Sequence, residues 1–311
     1  MTILIVSEKP SAARKIAAAL SGGKARPSGK GKVQYLEFKH RGEDVFVAAS
    51  VGHVYGIKQK TPGSGYPVFD IRWIPLWEVD EGASYTKDYL AVLRNLARDA
   101  DEVVNACDFD AEGSLIGKKI IEFNAPNAKH SRMKFSTLTA PELQDAFENR
   151  GPLDLPQALA GEARHELDWL WGINISRALM AAIKKAGIFR VLSVGRVQGP
   201  ALAFLSKREK EIAAFKAKPY WQLFAHLEGT LFEYVGGKFW EEAHADAVLS
   251  RSSVNGTVKK VESKKVKQRP PPPFDLTSLQ MEAYRVFSFP PTLTLQLAQN
   301  LYEESLISYP R

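Results

Sequence analysis

The sequence predicts a multidomain protein of class α/β plus α, on three observations. Up to about residue 148, short apolar runs alternate with amphipathic stretches, the pattern of a mainly parallel sheet covered by helices. After Gly151-Pro152 the apolar spacing turns helical, and from Trp221 it changes to the alternation of strands. A length of 311 residues leaves room for about two domains, and 45% apolar with 25% charged residues is an ordinary globular composition.

Ile3 to Val6 is too short an apolar run for a helix and reads as a buried parallel strand. Ser7-Glu8-Lys9-Pro10-Ser11 turns into a helix to about Leu20, with Pro10 tolerated in the first turn. Glu8 and Lys9 therefore stand at the carboxyl end of a strand, where open α/β sheets place their chemistry; on position alone, ordinary helix-start decoration is the favoured reading. Gly22 to Gly31 is basic and glycine-rich and is expected to be a mobile loop. Its Ser28-Gly29-Lys30 looks like part of a Walker A loop, but Gly31 follows the lysine and Lys24 replaces the first glycine, so a nucleoside-triphosphate site is rejected.

Val33–Phe38 and Val45–Ser50 read as a hairpin, after which His53 follows Gly52 at a strand end. Tyr55 to Trp77, rich in Pro and Gly, reads as an irregular insertion, and Thr86 to Arg98 as an amphipathic helix. A strand from Val103 runs into Asp108-Phe-Asp110-Ala-Glu112-Gly113, followed by a helix from Ser114 to Phe123. Met133 to Leu138 is expected as one more strand, and Thr139-Ala-Pro-Glu142 as a capping box opening a helix to about Phe147. Glu162 to Lys185 is a long helix, with a bend expected near Gly172, that places Arg164 and Asp168 on one face. Gly195 and Gly199, beside Arg196 and Gln198, suit close backbone approach to a phosphate at the start of the next helix, which runs to about Ala213. A hairpin around Glu228-Gly229, a helix from Glu241 to Leu249 and a Lys-rich strand from Val258 to Lys267 come next. Arg269 to Pro273 is a stiff connector, and two helices, Thr277–Phe287 and Thr292–Glu304, lead to Tyr309-Pro-Arg311.

The acidic hexapeptide is the strongest chemical signal. Three carboxylates at alternate positions repel one another, and a hard divalent cation such as Mg2+ makes such a cluster tolerable; a solvated acidic turn is the other reading. An EF-hand is excluded, because the twelfth position of that loop holds Lys119 and not a bidentate Glu. The net charge of +7 points to a polyanionic partner. One cysteine excludes internal disulfides and Cys-based zinc sites and fits a reducing compartment; Cys107 reads as a buried small hydrophobe. No stretch approaches the roughly 18 apolar residues of a membrane span, so a cytoplasmic protein without membrane contact is expected.

Jointly, Ser7-Glu8-Lys9-Pro10-Ser11, Gly52-His53, Asp108-x-Asp110-x-Glu112-Gly113, Ser193-Val-Gly-Arg196-Val-Gln198-Gly-Pro200 and Leu306-Ile-Ser-Tyr309-Pro-Arg311 resemble the motifs of type IA DNA topoisomerases, in the same order along the chain. Gly-Ser-Leu-Ile-Gly117 after the acidic triplet resembles the archaeal branch. The resemblance implies a Toprim metal-binding domain at 1–148 and the first part of a helical domain gripping single-stranded DNA at 149–212. It implies the first part of a β-rich arch at 213–268 and the start of a helical nucleophile domain at 269–311. It further implies Tyr309 as nucleophile, with Glu8, Lys9 and Arg311 as its catalytic partners. Asp108, Asp110 and Glu112 would be Mg2+ ligands, and Arg164, Asp168, Arg196 and Gln198 DNA contacts, with His53 a further candidate. The acidic triplet would raise the Glu8 pKa by like-charge repulsion, so that Glu8 protonates the leaving 3′-oxygen. The expected activity is ATP-independent relaxation of negative supercoils through a 5′-phosphotyrosyl bond, by a monomer. In this family the chain continues past the tyrosine, so an N-terminal fragment, which need not act alone, is expected. The alternatives are another Toprim enzyme of nuclease or primase type, or a DNA- and metal-binding module without activity.

Overall fold

The computed structural model describes residues 1–29, 33–253 and 255–311. They fall into two compact units, Met1–Arg196 with Pro273–Arg311, and Val197–Pro272. The first unit contains β1 (Thr2–Ser7), α1 (Pro10–Ser21), β2 (Arg26–Ser28), β3 (Tyr35–His40), β4 (Glu43–Ala49), β5 (Tyr55–Gln59), β6 (Ile71–Pro75), α2 (Thr86–Arg98), β7 (Glu102–Asn105), α3 (Ala111–Asn124), β8 (Lys129–Arg132), α4 (Ala140–Glu148) and α5 (Leu155–Lys185). The second contains α6 (Gln198–Ala214), β9 (Phe224–Leu227), β10 (Thr230–Glu233) and α7 (Glu242–Leu249). The chain then returns to the first unit as α8 (Leu276–Phe287) and α9 (Pro291–Glu303).

Among the described residues the first unit is built on a six-stranded sheet in the order β2-β3-β4-β1-β7-β8. β1 is its centre, parallel to β4 on one side and to β7 on the other, with Ile5 facing Val47 and Val104. Ile3 to Val6 are essentially inaccessible because both faces of the sheet are covered, which is why this strand is a continuous apolar run. Ile3 and Ile5 join one core with Ile16 of α1 and Leu143 of α4, whereas Leu4 and Val6 join the other with Leu90 of α2 and Ile120 of α3. β1 is flanked by strands reached by connections on opposite sides, so its carboxyl end is a switch point of the kind where α/β sheets bind ligands. Glu8, His53 and Asp108 follow the ends of β1, β4 and β7 respectively.

The last residues close onto this sheet. Tyr302 at the end of α9 is buried in the α1–α4 core, and Ile307 and Tyr309 pack against it. The Tyr309 amide donates to the Ser136 carbonyl at 2.8 Å. Ser305 Oγ donates to the Leu138 carbonyl at 3.0 Å and accepts from Lys15 Nζ at 3.1 Å. In the second unit β9 and β10 pair antiparallel across Glu228-Gly229, both with positive φ (47° and 79°), as a two-residue hairpin turn demands.

Several expectations need correction. Arg26 to Ser28 of the expected basic loop is an edge strand on β3; Lys30 and Gly31, the end of the Walker-like stretch, lie outside the described residues. The supposed irregular insertion contains the antiparallel ribbon β5–β6, its Pro- and Gly-rich segment forming only the connection. The strand expected at Met133 to Leu138 lies earlier, at β8; Met133, Phe135 and Leu138 fill the core from irregular backbone. No strand forms over Val258 to Lys267 among the described residues. The capping box at Thr139 is not made: Glu142 instead accepts from the Ser136 and Thr137 amides at 2.5 and 3.2 Å and from the Thr137 hydroxyl. α5 starts at Leu155, seven residues before the expected Glu162, capped by Asp154, and its helical assignment runs unbroken through Gly172.

Candidate active site

The acidic loop is shaped from beneath. β7 ends at Asn105, whose side chain accepts from the Cys107 amide at 3.0 Å and donates to the Gly113 carbonyl at 3.2 Å. Arg132, 1% exposed, donates to the carbonyls of Asn105, Cys107 and Asp108 at 3.0, 2.8 and 2.8 Å. With the carbonyls turned inward onto a guanidinium, the carboxylates are left on the outer side. Asp110 then caps α3 by accepting from the Gly113 amide at 2.7 Å. The helix thus begins at Ala111, and Glu112 lies in its first turn, earlier than the Ser114 start expected from sequence. α5 packs close on this turn because Gly161 carries no side chain: a Cβ there would stand 2.6 Å from the Ala111 carbonyl.

The three carboxylates divide into two groups. Asp108 and Asp110 face the tyrosines. Asp108 is 3% exposed; its Oδ1 accepts from the Tyr302 hydroxyl at 3.3 Å, and its Oδ2 lies 3.6 Å from Lys9 Nζ without a hydrogen bond. Burial pushes the Asp108 carboxyl up, Lys9 opposing and Asp110 adding to the shift. Asp110 Oδ2 accepts from the Tyr309 hydroxyl at 2.6 Å, and the Tyr309 and Tyr302 rings meet edge to face at 5.3 Å. Burial, then the bond to Asp110, hold the Tyr309 phenol well above the usual range. Glu8 is pushed up to about 7, first by burial and second by Asp108, with Lys9 opposing. Like-charge repulsion was the expected lever on Glu8, but desolvation exceeds it. Arg311 donates to the Phe109 carbonyl at 2.6 Å, its guanidinium over the Phe109 ring at 5.2 Å.

Glu112 points the other way. Its Oε2 lies 2.7 Å from His165 Nε2 and 2.9 Å from His53 Nε2, while Arg164 stands 3.9 Å from Oε1. Burial would raise the Glu112 carboxyl, but the two histidines overcome it and hold it low. Burial lowers the His53 imidazole. Among the described residues, His53, Glu112 and His165 are the one set of three His, Cys, Asp or Glu side chains whose ligand atoms all lie within 4.8 Å. Arg164 and Asp168 share a face at 3.9 Å as expected, and Asp168 binds Arg196 through contacts of 2.6 and 3.4 Å. Gln198 begins α6 in the second unit and is exposed.

Sequence reasoning missed His165 and Tyr302. His165 is flanked by the singled-out Arg164 on the same helix, but nothing local reveals its partner in α3. Tyr302 sits at the end of an amphipathic helix, where an aromatic reads as core; its hydroxyl, aimed at Asp108, is what distinguishes it.

Residues 3–138 match the Toprim domain model, and residues 153–311 match a family model described as DNA topoisomerase. The chain belongs to the type IA DNA topoisomerase family. It is 46% identical over 316 aligned positions to DNA topoisomerase 1 of Methanocaldococcus jannaschii, spanning 100% of this chain and 41% of that protein. It is 45% identical to DNA topoisomerase 1 of Pyrococcus horikoshii, spanning 99% of this chain and 46% of that one. The structure of full-length topoisomerase I from Thermotoga maritima superposes with a TM-score of 0.63 at 25% identity, over 96% of this chain and 46% of that one. The chain therefore spans less than half the length of these relatives. Among the described residues, no helix is long and apolar enough to cross a membrane.

Proposed function

We propose that this chain carries the strand-cleaving half-reaction of an ATP-independent type IA topoisomerase that relaxes negatively supercoiled DNA. The observation that supports it most is the Tyr309 hydroxyl, 2.6 Å from Asp110 although 199 residues separate them in sequence. Tyr309 gives its proton to Asp110 and attacks the phosphodiester. The Tyr309 oxygen–phosphorus bond forms, the bond from phosphorus to the 3′-oxygen breaks, and Glu8 protonates that oxygen. With a pKa of about 7, Glu8 is available as an acid in one direction and as a base in religation. Lys9 and Arg311 supply positive charge to the phosphate oxygens, Arg311 through its forked donors. The new ester conserves the energy of the broken one, so no nucleotide is required.

The residues present fit Mg2+. All three carboxylates are hard oxygen donors, and the buried Asp108 Oδ2 lacks a hydrogen-bond partner. Asp108 and Asp110 would hold the ion; Glu112, the third ligand expected from sequence, faces His53 and His165 instead. When bound, Mg2+ supplies charge that offsets the carboxylates and the phosphate. In this reading residues 1–148 are the Toprim domain, and 149–212, 213–268 and 269–311 begin the gripping, arch and nucleophile domains. Arg164, Arg196 and Gln198, with Asp168 orienting the two arginines, hold single-stranded DNA in a cytoplasmic monomer.

The test is incubation with a labelled single-stranded oligonucleotide and Mg2+, followed by denaturation. Protein-linked label is expected with the wild type and none with Tyr309→Phe; label surviving in that variant refutes the assignment. Binding of the same oligonucleotide should weaken steeply between low and physiological salt, because phosphate contacts release counterions.

A further inference from the structure

We propose that His53, His165 and Glu112 form a second metal site, for a borderline divalent cation of the Zn2+ class, beside the Mg2+ carboxylates. Three elements converge there: His53 after β4, Glu112 in the first turn of α3, and His165 midway along α5. Their ligand atoms lie within 4.8 Å of one another, and the two rings stand 4.5 Å apart, tilted by 49°. Two imidazole nitrogens and one carboxylate oxygen are a donor set for Zn2+ or a similar ion, since Mg2+ prefers oxygen throughout. Three protein ligands leave a fourth position for water or a phosphate oxygen.

The spacing is close to what the ion needs. Zn–N and Zn–O bonds of about 2.0–2.1 Å at tetrahedral angles put donors about 3.3 Å apart. The present separations of 2.7 and 2.9 Å from Glu112 Oε2 require an opening of a few tenths of an ångström. Each ring need only carry its proton on Nδ1 to present the Nε2 lone pair, with no net change in protonation.

The frame is held independently of any ion. The loop before His53 is tied to β1 by the Ser50 amide on the Ser7 carbonyl at 2.9 Å and the Gly52 amide on the Glu8 carbonyl at 3.3 Å. Gly161 seats α5 against α3 one turn before His165. The side chains of His53, His165 and Glu112 are 24%, 33% and 36% exposed, so the site is formed yet open to solvent.

The test is equilibrium dialysis of the chain against Zn2+ with Mg2+ in large excess, alongside X-ray absorption at the zinc edge. The expected result is about one Zn2+ per chain that Mg2+ does not displace, with two imidazole nitrogens in the first shell. His53→Gln and His165→Ala should each weaken binding at least ~10-fold, while Asp108→Asn keeps it. The two histidines lie on different elements, so a variant that unfolds, as judged by circular dichroism, leaves the other to be read. Wild-type affinity in a folded histidine variant, an all-oxygen shell, or loss of zinc with Asp108→Asn would overturn the site.

Discussion

The acidic motif places three carboxylates within five residues, yet its two ends stand in different surroundings. Asp108 and Asp110 face a buried, hydroxyl-rich pocket with Tyr302, Tyr309 and a single lysine. Glu112 faces two imidazoles and a guanidinium and is more exposed. The divide is the start of α3: Asp110 is its cap, and the first helical turn rotates Glu112 away from the strand end. Charge repulsion within the motif is therefore relieved by geometry as well as by partners. A row of like charges in sequence can become two sites of different chemistry.

The largest way to break this division is to remove the turn that makes it. Gly113 sits against the backbone of Asp108, and a Cβ would collide with the Asp108 carbonyl and approach its amide nitrogen to 3.0 Å. Gly113→Ala should cost about 3 kcal/mol in denaturant unfolding and abolish adduct formation. Lys9→Ala acts on the tyrosine side alone and should slow adduct formation roughly 100-fold in single-turnover assays without displacing Glu112 from its histidines.

The Glu8 carboxyl sharpens the same contrast through pH. Its value of about 7 in the folded chain, against 4.5 otherwise, means that the folded state holds a proton which the unfolded state releases between those values. The stability this group contributes is present below about 4.5 and is lost as the pH rises through about 7. Adduct formation should fall about tenfold per unit above pH 7, and Glu8→Gln should flatten both the rate and the stability profile in that window. The smallest effect is expected from Tyr302→Phe, which strips one donor from buried Asp108: about 1–2 kcal/mol, read from a denaturant midpoint.

Much of this fold was legible. β1, α2 and α9 follow the expected ranges closely, because an unbroken apolar tetrad and a clean helical period each admit one solution. The family motifs also marked Asp110 and Tyr309, whose carboxylate and hydroxyl meet at 2.6 Å. The misreadings have local causes. Lys129-His-Ser-Arg132 lacks apolar residues, so β8 was hidden, and the apolar residues after it drew the strand assignment to themselves. The Pro- and Gly-rich connection masked β5 and β6 on either side. Glu142 spends its carboxylate on Ser136 and Thr137 instead of on a cap, a choice set by the path of the preceding loop. The pairing of Glu112 with His53 and His165 joins positions more than fifty residues apart, across elements whose packing no local pattern encodes.

Arg132 has a consequence for how the loop responds to what it binds. Its guanidinium holds the carbonyls of Asn105, Cys107 and Asp108 leading into the acidic turn from below, through contacts that involve no carboxylate. The conformational entropy of the turn is therefore surrendered when the chain folds, not when an ion or a phosphate arrives. Ligands meet a loop already in its working shape, so occupancy should change local charge far more than local order. Backbone amides from Asn105 to Gly113 should show similar hydrogen-exchange protection with and without divalent metal.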